Sequence, residues 1–579
     1  VVPLLVICLA FTLLVAMHTT TTPLFEAPDE VWHYAYVRWI AEGNGLPPLD
    51  EDLSGANQEA AQPPLYYLVA AALTYPFEDA DLERLLWHNP DFGYQAPGTT
   101  ADNKNMLIHT GAEGFPWRGA TLAVHMARLT SWLFGLVAVI AVWLLGREVS
   151  AAPRLAVTAS ALVAFHPQFV FISSVVSNDA AAAAVASLGL WLATRMLLRG
   201  VCWRSVVGAG VLAGLAALTK NSVLPLVPAL GLSLVVAQAP TWFRLHAADP
   251  AHDRPSPRRL VRELALFATV AIAIGAWWYI RNTSLYGDPL GLGSHTQTQW
   301  GREELASMSE LIPEIPLLWR SFWGAYGWGH VFWPDAVYGL LTALNLPLIA
   351  LTIAVIAKGW WSIGNKGQPV RHLLDNLASQ RGRLLPLTLL VFWGAGILTA
   401  LLSWMRQVQA PHGRLLFPAI GAWALLTGWG LHIYASRYPQ IVQRWRAIQL
   451  GTLAALTALA PGVRILATFA PPRLRSPSAV SASCAAPTEM RYGKHIQLLC
   501  AEAPPHRVSP GETTEVRACW MTTAPLARDY TVFVHMISDS EGHLLAQSDQ
   551  WPQEGNAPTS SWVPGQVIFD THTLTLPPD

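Results

Sequence analysis

The sequence predicts a mainly α-helical, polytopic membrane bundle that carries an exterior β-sandwich domain at its C-terminal end. Only 13% of the 579 residues are charged and 52% are hydrophobic, against about 25% charged in a typical soluble domain. Apolar runs of spanning length, roughly 17–25 residues each, recur from the first residue to about residue 470. Beyond that point the pattern changes to short alternating segments separated by Gly, Pro, Asp and Ser, which read as strands and turns.

The apolar runs fall at 1–18, 121–146, 153–173, 177–198, 203–219, 222–238, 263–284, 336–358, 385–404, 415–435 and 449–470, about eleven spans with several at the short end. A shorter run at 63–76 reads as a helix lying on or dipping into the membrane. The first run lacks a small-residue cleavage site and leads into an acidic segment, which argues against a signal peptide. The 26 Trp residues gather near the ends of the runs, as an interfacial belt requires.

Lys and Arg set the orientation. With a cytoplasmic N-terminus, the inside loops hold Arg147, Arg154, Arg195, Arg199, Arg204, Arg244, Arg254, Arg258, Arg259, Arg262, Lys358, Lys366, Arg371, Arg381, Arg383, Arg437, Arg444 and Arg446, and the short outside turns only Lys220, Arg406 and Arg414. Residues 19–120, residues 285–335 and the tail from about 475 are then exterior. The chain accordingly divides into a transmembrane module, 1–474, and a β-domain, 475–579. Strands are expected at 495–502, 514–522, 530–538, 543–550 and 566–576. Five strands are few for a sandwich, so the domain is expected to be incomplete in this sequence. Cys484, Cys500 and Cys519 in the tail allow one disulfide and one leftover thiol. A net charge of −1 excludes a broadly basic nucleic-acid binder.

The candidate chemistry lies at the outer ends of the spans. Glu26-Ala-Pro-Asp29-Glu30-Val-Trp-His33 emerges directly from the first run, and on a helix Asp29 and Glu30 share a face with His33. A carboxylate at the membrane surface can take a proton from a hydroxyl or hold a divalent cation against a phosphate; acidic capping of a helix start explains the same residues. Asp179 in Ser177-Asn-Asp179 is a second membrane-edge carboxylate, of a kind that is costly unless used; an N-cap is its plainer reading. Lys220, Arg281 and Arg414, with His412 beside the last, stand where the positive-inside rule disfavours cations. They suit a lipid phosphate, or serve as snorkelling anchors. Two aromatic stretches, Gln62-Pro-Pro-Leu-Tyr-Tyr67 and Ser321-Phe-Trp-Gly-Ala-Tyr-Gly-Trp-Gly-His330, suit sugar or polyprenyl binding and equally an interfacial loop. The histidines form no metal-ligand spacing, and the absence of a nucleotide-cradling loop disfavours an ATP-driven pump.

Taken in order, several motifs resemble the GT-C superfamily of polytopic glycosyltransferases, which includes protein O-mannosyltransferases and the aminoarabinose transferase of lipid A. The chain looks most similar to uncharacterised bacterial membrane proteins of that superfamily. The motifs are Glu26–His33, Gln62–Tyr67, Asp102–His109, Phe115-Pro-Trp, His166-Pro-Gln, Ser177–Asp179, Leu218-Thr-Lys220, Arg281-Asn, Tyr286–Leu290, Ser321–Gly324 and Gly413–Pro418. The resemblance implies a polyprenyl-phosphate-linked sugar donor, inversion at the anomeric carbon, and a catalytic acid in the first outer loop. Carried onto this chain, Asp29 is base or acceptor-positioning carboxylate with Glu30 beside it, Asp179 is the second acidic position, and Lys220 and Arg414 neutralise the lipid phosphate. His33, Arg281 and His412 complete the expected substrate-binding set.

The expectation is a cell-membrane glycosyltransferase transferring sugar to a lipid, glycan or protein acceptor on the outer face. The alternatives are a non-catalytic transporter or scaffold, or a polymerase, for surface polysaccharide. No cofactor is specified; a divalent cation at Asp29 and Asp179 is one option. No clear internal repeat, which a transporter would show, is present.

Overall fold

The computed structural model describes every residue except 1, 50, 93–104, 151, 244–256, 365–383, 436, 470–474, 479, 481–483, 485–486, 504–507, 539–541 and 579. The predicted inside residues Arg244, Arg254, Lys366, Arg371, Arg381 and Arg383, and the start of the Asp102–His109 motif, fall outside the described residues.

Each predicted run is helical. Among the described residues, nine helices are long and apolar enough to cross a membrane: Val2–Thr21, Gly119–Val149, Asp179–Arg199, Asn221–Gln238, Pro257–Tyr286, Asp335–Trp361, Leu384–Met405, Gly413–Tyr434 and Pro439–Phe469. The expectation of about eleven spans is corrected on two counts. The run 153–173 breaks into Pro153–Ala164 and Pro167–Ile172. Pro167 disfavours helix at the residue before it, and His166 caps the second piece, its ring nitrogen accepting from the Phe169 N–H at 3.3 Å. The run 203–219 forms a helix, Trp203–Thr219, one residue short of the long-helix set. The run at 63–76 is the short helix Leu65–Thr74.

The bundle has the outer surface a bilayer requires, with large apolar side chains facing outward, such as Phe392 at 72% exposure and Ile272 at 62%. Between helices the contacts are small residues and internal hydrogen bonds, as expected where lipid removes the hydrophobic drive. Gly214 and Gly275 bring Trp203–Thr219 and Pro257–Tyr286 together: a Cβ on Gly275 would sit 2.8 Å from the Ala217 Cβ, and one on Gly214 would sit 2.6 Å from the Ile274 Cβ. His18 and the Thr457 carbonyl meet at 2.9 Å, while the Thr457 hydroxyl donates to the Phe165 carbonyl. Gln449 donates to Asn345 at 2.7 Å.

The Gly- and Trp-rich stretch after Ser321 forms a small hairpin, Ala325–Tyr326 paired with Val331–Phe332. Gly327 and Gly329 in its turn adopt φ of 61° and 96°, a region that side chains disfavour.

Among its described residues the tail forms six strands rather than five. Pro487–Tyr492, Ile496–Glu502, Thr513–Thr522 and Val567–Thr575 build one antiparallel sheet in that order, and Val532–Ile537 pairs with Leu544–Gln550 as a separate hairpin. The additional strand, Pro487–Tyr492, lacks a clear apolar alternation and so left no pattern to read. Cys484 and Cys500 form a disulfide and Cys519 stays free. A buried chain ties hairpin to sheet: Ser548 Oγ to His572 Nδ1 at 3.0 Å, and His572 Nε2 to Asp570 at 2.9 Å. The tail also touches the first long loop, the Asn89 amide donating to the Glu554 carbonyl and the Trp551 N–H donating to Asp91.

Candidate active site

The first span ends at Thr21, and the chain turns through Phe25 and Asp29, both at positive φ (67° and 63°), into the helix Glu30–Ala41. A non-glycine residue held there stores strain of the kind found at functional sites. The Asp29 side chain does not cap its own helix; it accepts a charge-assisted hydrogen bond from Arg414.

The turn is pinned by Glu30. Its carboxylate is wholly buried, paired through both oxygens with the Arg128 guanidinium at 2.8 Å, and accepts from the Phe25 and Val176 amides. Arg128 also donates to the carbonyls of Thr19, Thr22 and Pro23. Every oxygen of Glu30 is thus engaged behind the site.

Asp179 opens the helix Asp179–Arg199 and is 1% exposed. One of its oxygens accepts from Lys220, the other from Arg414 at 3.1 Å. Lys220 also donates to the Asn178 side chain at 2.8 Å. Arg414 therefore forks, one terminal nitrogen to Asp29 and the other to Asp179, joining residues 385 and 235 positions apart. Three helical segments, starting at Asp179, Asn221 and Gly413, begin at this cluster. Their positive ends favour an anion there.

The cluster opens on a cavity of about 500 Å³. Asp29, His33, Glu59, Lys220, His412 and Arg414 form its polar part; Leu224, Ile397, Leu401 and Leu415 form an apolar part; Trp300, Trp328 and Trp404 complete the wall. Asp179 is not part of the wall and holds the two cations from behind. Arg281 lies away from the cavity: it donates to the Pro47 carbonyl and stacks 5.0 Å over Trp278, the anchoring alternative that its aromatic neighbours suggested.

A second polar group adjoins Asp29. His33 and the Tyr67 hydroxyl are 2.8 Å apart, Tyr67 donates to Glu59 at 3.2 Å, and His295 lies 3.9 Å from Glu59 and 3.2 Å from the Gln62 amide. Burial raises the Glu59 carboxyl above its usual range despite His33, and lowers His33 despite Glu59 and Asp29. His33 and Glu59 lie 3.3 Å apart, with the Tyr67 hydroxyl bonded to both. Burial acts on Asp29 in the same upward direction, but Arg414, with His33 and His412, outweighs it and keeps the carboxyl below its ordinary range. Burial, reinforced by Arg414, lowers His412 to about 4, so it is neutral at physiological pH.

The space between Asp29 and Asp179 is filled by the Arg414 guanidinium. At this site three residues that could hold a metal ion come together, Asp29, His33 and Glu59, whose donor atoms lie within 4.8 Å of one another. Two carboxylates and an imidazole are donors a divalent cation accepts; here they already bond to Arg414 and Tyr67.

Glu59, Tyr67, His295 and Arg128 were absent from the predicted set. Glu59 stands three residues before the noted Gln62-Pro-Pro segment, on a single 3₁₀ turn, Asn57–Ala61, with no periodicity to mark it. Arg128 is a lone cation inside an apolar run, and that cost alone was a readable signal.

Residues 123–248 match the family profile described as dolichyl-phosphate-mannose-protein mannosyltransferase. No curated protein matches the chain. Among solved structures, ArnT from Cupriavidus metallidurans bound to undecaprenyl phosphate is 16% identical with a TM-score of 0.43, the alignment covering 78% of this chain and 63% of that one. The Archaeoglobus fulgidus oligosaccharyltransferase in complex with Zn and sulfate is 12% identical with a TM-score of 0.40, covering 79% and 53%. AglB from the same organism, in complex with an inhibitory peptide and a dolichol-phosphate, is 13% identical with a TM-score of 0.40, covering 78% and 54%. The chain spans less than two thirds of the length of these three proteins.

Proposed function

We propose that the chain transfers a sugar from a polyprenyl-phosphate donor to an acceptor hydroxyl on the outer face of the cell membrane. The observation that carries this reading is the Arg414 fork: Asp29, Lys220 and Arg414, brought from separate parts of the chain, meet at the wall of a cavity lined by both polar and apolar side chains, with Asp179 behind them. The lipid chain takes the apolar part beside Ile397 and Leu401. The phosphate takes the place of Asp29 on Arg414 and meets Lys220 beside it, both cations still held by Asp179, and the three helix starts add their partial positive charge.

Asp29, released from Arg414 as the phosphate arrives, accepts the proton of the attacking hydroxyl. The new bond forms at the anomeric carbon as the bond to the phosphate oxygen breaks. The charge that develops on the leaving phosphate falls on cations already in place. Asp179 holds those cations, and Glu30 with Arg128 holds the turn that presents Asp29. A divalent cation, if one is used, has Asp29, His33 and Glu59 as its donors.

The test is transfer from a panel of radiolabelled polyprenyl-phosphate sugars in membranes carrying the wild type or Asp29→Asn. Loss of a general base costs about 10²–10⁴ in rate. Full transfer by a folded Asp29→Asn protein removes the assignment. Treating the same membranes with a chelator separates a metal-dependent from a metal-independent reaction.

A further inference from the structure

Arg414 makes the central contacts of the site, yet little of its own side chain fixes it. Its two terminal nitrogens reach across to Asp29 and Asp179, while Nε is buried with no hydrogen-bond partner. The position of the fork therefore depends on the backbone that carries it. That backbone is the turn from Gln409 to Leu415, which enters a short helical stretch beginning at Gly413.

The turn is seated on the end of the helix Ile315–Trp323. Ser321, 4% exposed, accepts from the Gly413 N–H at 2.8 Å, and its one hydroxyl proton is shared between the Pro411 carbonyl at 3.1 Å and the Leu318 carbonyl at 3.2 Å. These bonds bracket His412 and stop one residue short of Arg414. Gly413 itself lies flat against the Phe322 backbone, leaving no room for a Cβ. The turn cannot move toward the helix, and the Ser321 hydroxyl ties it there on both sides of His412. The helix beneath is fixed in turn, since Phe322 and Trp323 pack against His166, Phe417 and Trp423.

We propose that Ser321 is a positioning residue for the lipid phosphate: through Pro411 and Gly413 it sets the distance of Arg414 from Asp29 and Asp179, and hence the affinity of the site for a phosphate anion. This rests on the phosphate-binding reading of Arg414 given above. Ser321 does not touch the substrate, so its effect passes through the turn it seats, chiefly through Arg414, whose contacts bind the phosphate.

The experiment is a double-mutant cycle on Ser321→Ala and Arg414→Ala, read as binding of undecaprenyl phosphate to the full chain in detergent. Losing the bridging hydroxyl is expected to weaken binding about three- to tenfold, Ser321→Thr to retain most of the affinity, and Ser321→Ala to add nothing in the Arg414→Ala background. An effect of Ser321→Ala that persists at full size without Arg414, or wild-type affinity in Ser321→Ala, overturns the proposal.

Hydrogen exchange gives a second readout that does not need the lipid. The Gly413 amide is expected to be protected in the wild type and in Ser321→Thr, and to exchange faster in Ser321→Ala while the rest of the bundle is unchanged. Unchanged protection in Ser321→Ala also overturns it. If Arg414→Ala binds undecaprenyl phosphate as the wild type does, it is the phosphate-site reading that fails, and the amide exchange still decides whether Ser321 seats the turn.

Discussion

Asp29 and Glu30 are adjacent in the chain and opposite in environment. Asp29 faces a cavity and meets one guanidinium; Glu30 is sealed beneath it with a bidentate partner and two backbone amides. The sequence marked both as candidates because three and four residues separate them from His33 on one helix, a spacing that holds for each. It did not show that the helix begins after a left-handed residue, which turns Asp29 out of the helical register. The two substitutions are therefore expected to differ in kind. Asp29→Asn should fold normally and lose transfer. Arg128→Met leaves Glu30 buried without its cation, and breaking a buried pair in this way costs about 3–5 kcal/mol. Its expected result is a lower thermal midpoint and poor yield, measured by fluorescence-detected gel filtration, with no specific signature at the site.

At the scale of elements, the first long loop is held by a clasp that titrates. His109 lies between Glu113, at 2.7 Å, and Glu26, at 3.0 Å; Glu113 also accepts from the Leu24 amide and Glu26 from the Leu107 amide. Burial pulls the His109 pKa down, but these two carboxylates outweigh it and raise it to about 10. A histidine so raised contributes its stability in full below its ordinary value of 6.5, and loses it as pH climbs through about 10. Between those limits the segment 105–113 is expected to become steadily less protected in hydrogen exchange. His109→Gln should be less protected at neutral pH and much flatter across the same range. A second element-scale expectation concerns the Gly214–Gly275 crossing. Gly275→Val forces the helices apart, at about 1–3 kcal/mol for overpacking, while Ala at the unconfined Gly396 on another span should be silent; thermal midpoints in detergent check both.

At the scale of the molecule, the hydrophobic runs, the aromatic belts and the change of pattern near residue 475 were legible because each is a property of a window of residues. The positions of Asp29, Asp179, Lys220 and Arg414 were legible as polar residues in costly places. Their convergence was not, because no local signal relates residues that lie hundreds of positions apart. Glu59 was missed for the complementary reason: its role comes from the side chains it meets from other parts of the chain. Contact between the tail and the first long loop was equally hidden, resting on single hydrogen bonds at Asn89 and Asp91. Asp91→Ala removes one of them and is expected to raise exchange around Trp551 without altering the bundle.

The ion pairs at the cavity wall have one further consequence. The two negative and two positive side chains of this cluster cancel, so the mouth of the cavity projects little field beyond about one Debye length, roughly 10 Å at 0.1 M salt. On the proposed function a donor would not be drawn in from bulk solution by charge; it would slide sideways within the lipid leaflet, held by its hydrocarbon chain, and meet Arg414 only after displacing Asp29. The apparent KM for a lipid-borne donor should then hardly change between low and high ionic strength, while inhibition by a short, water-soluble phosphate analogue should be weak at every salt concentration.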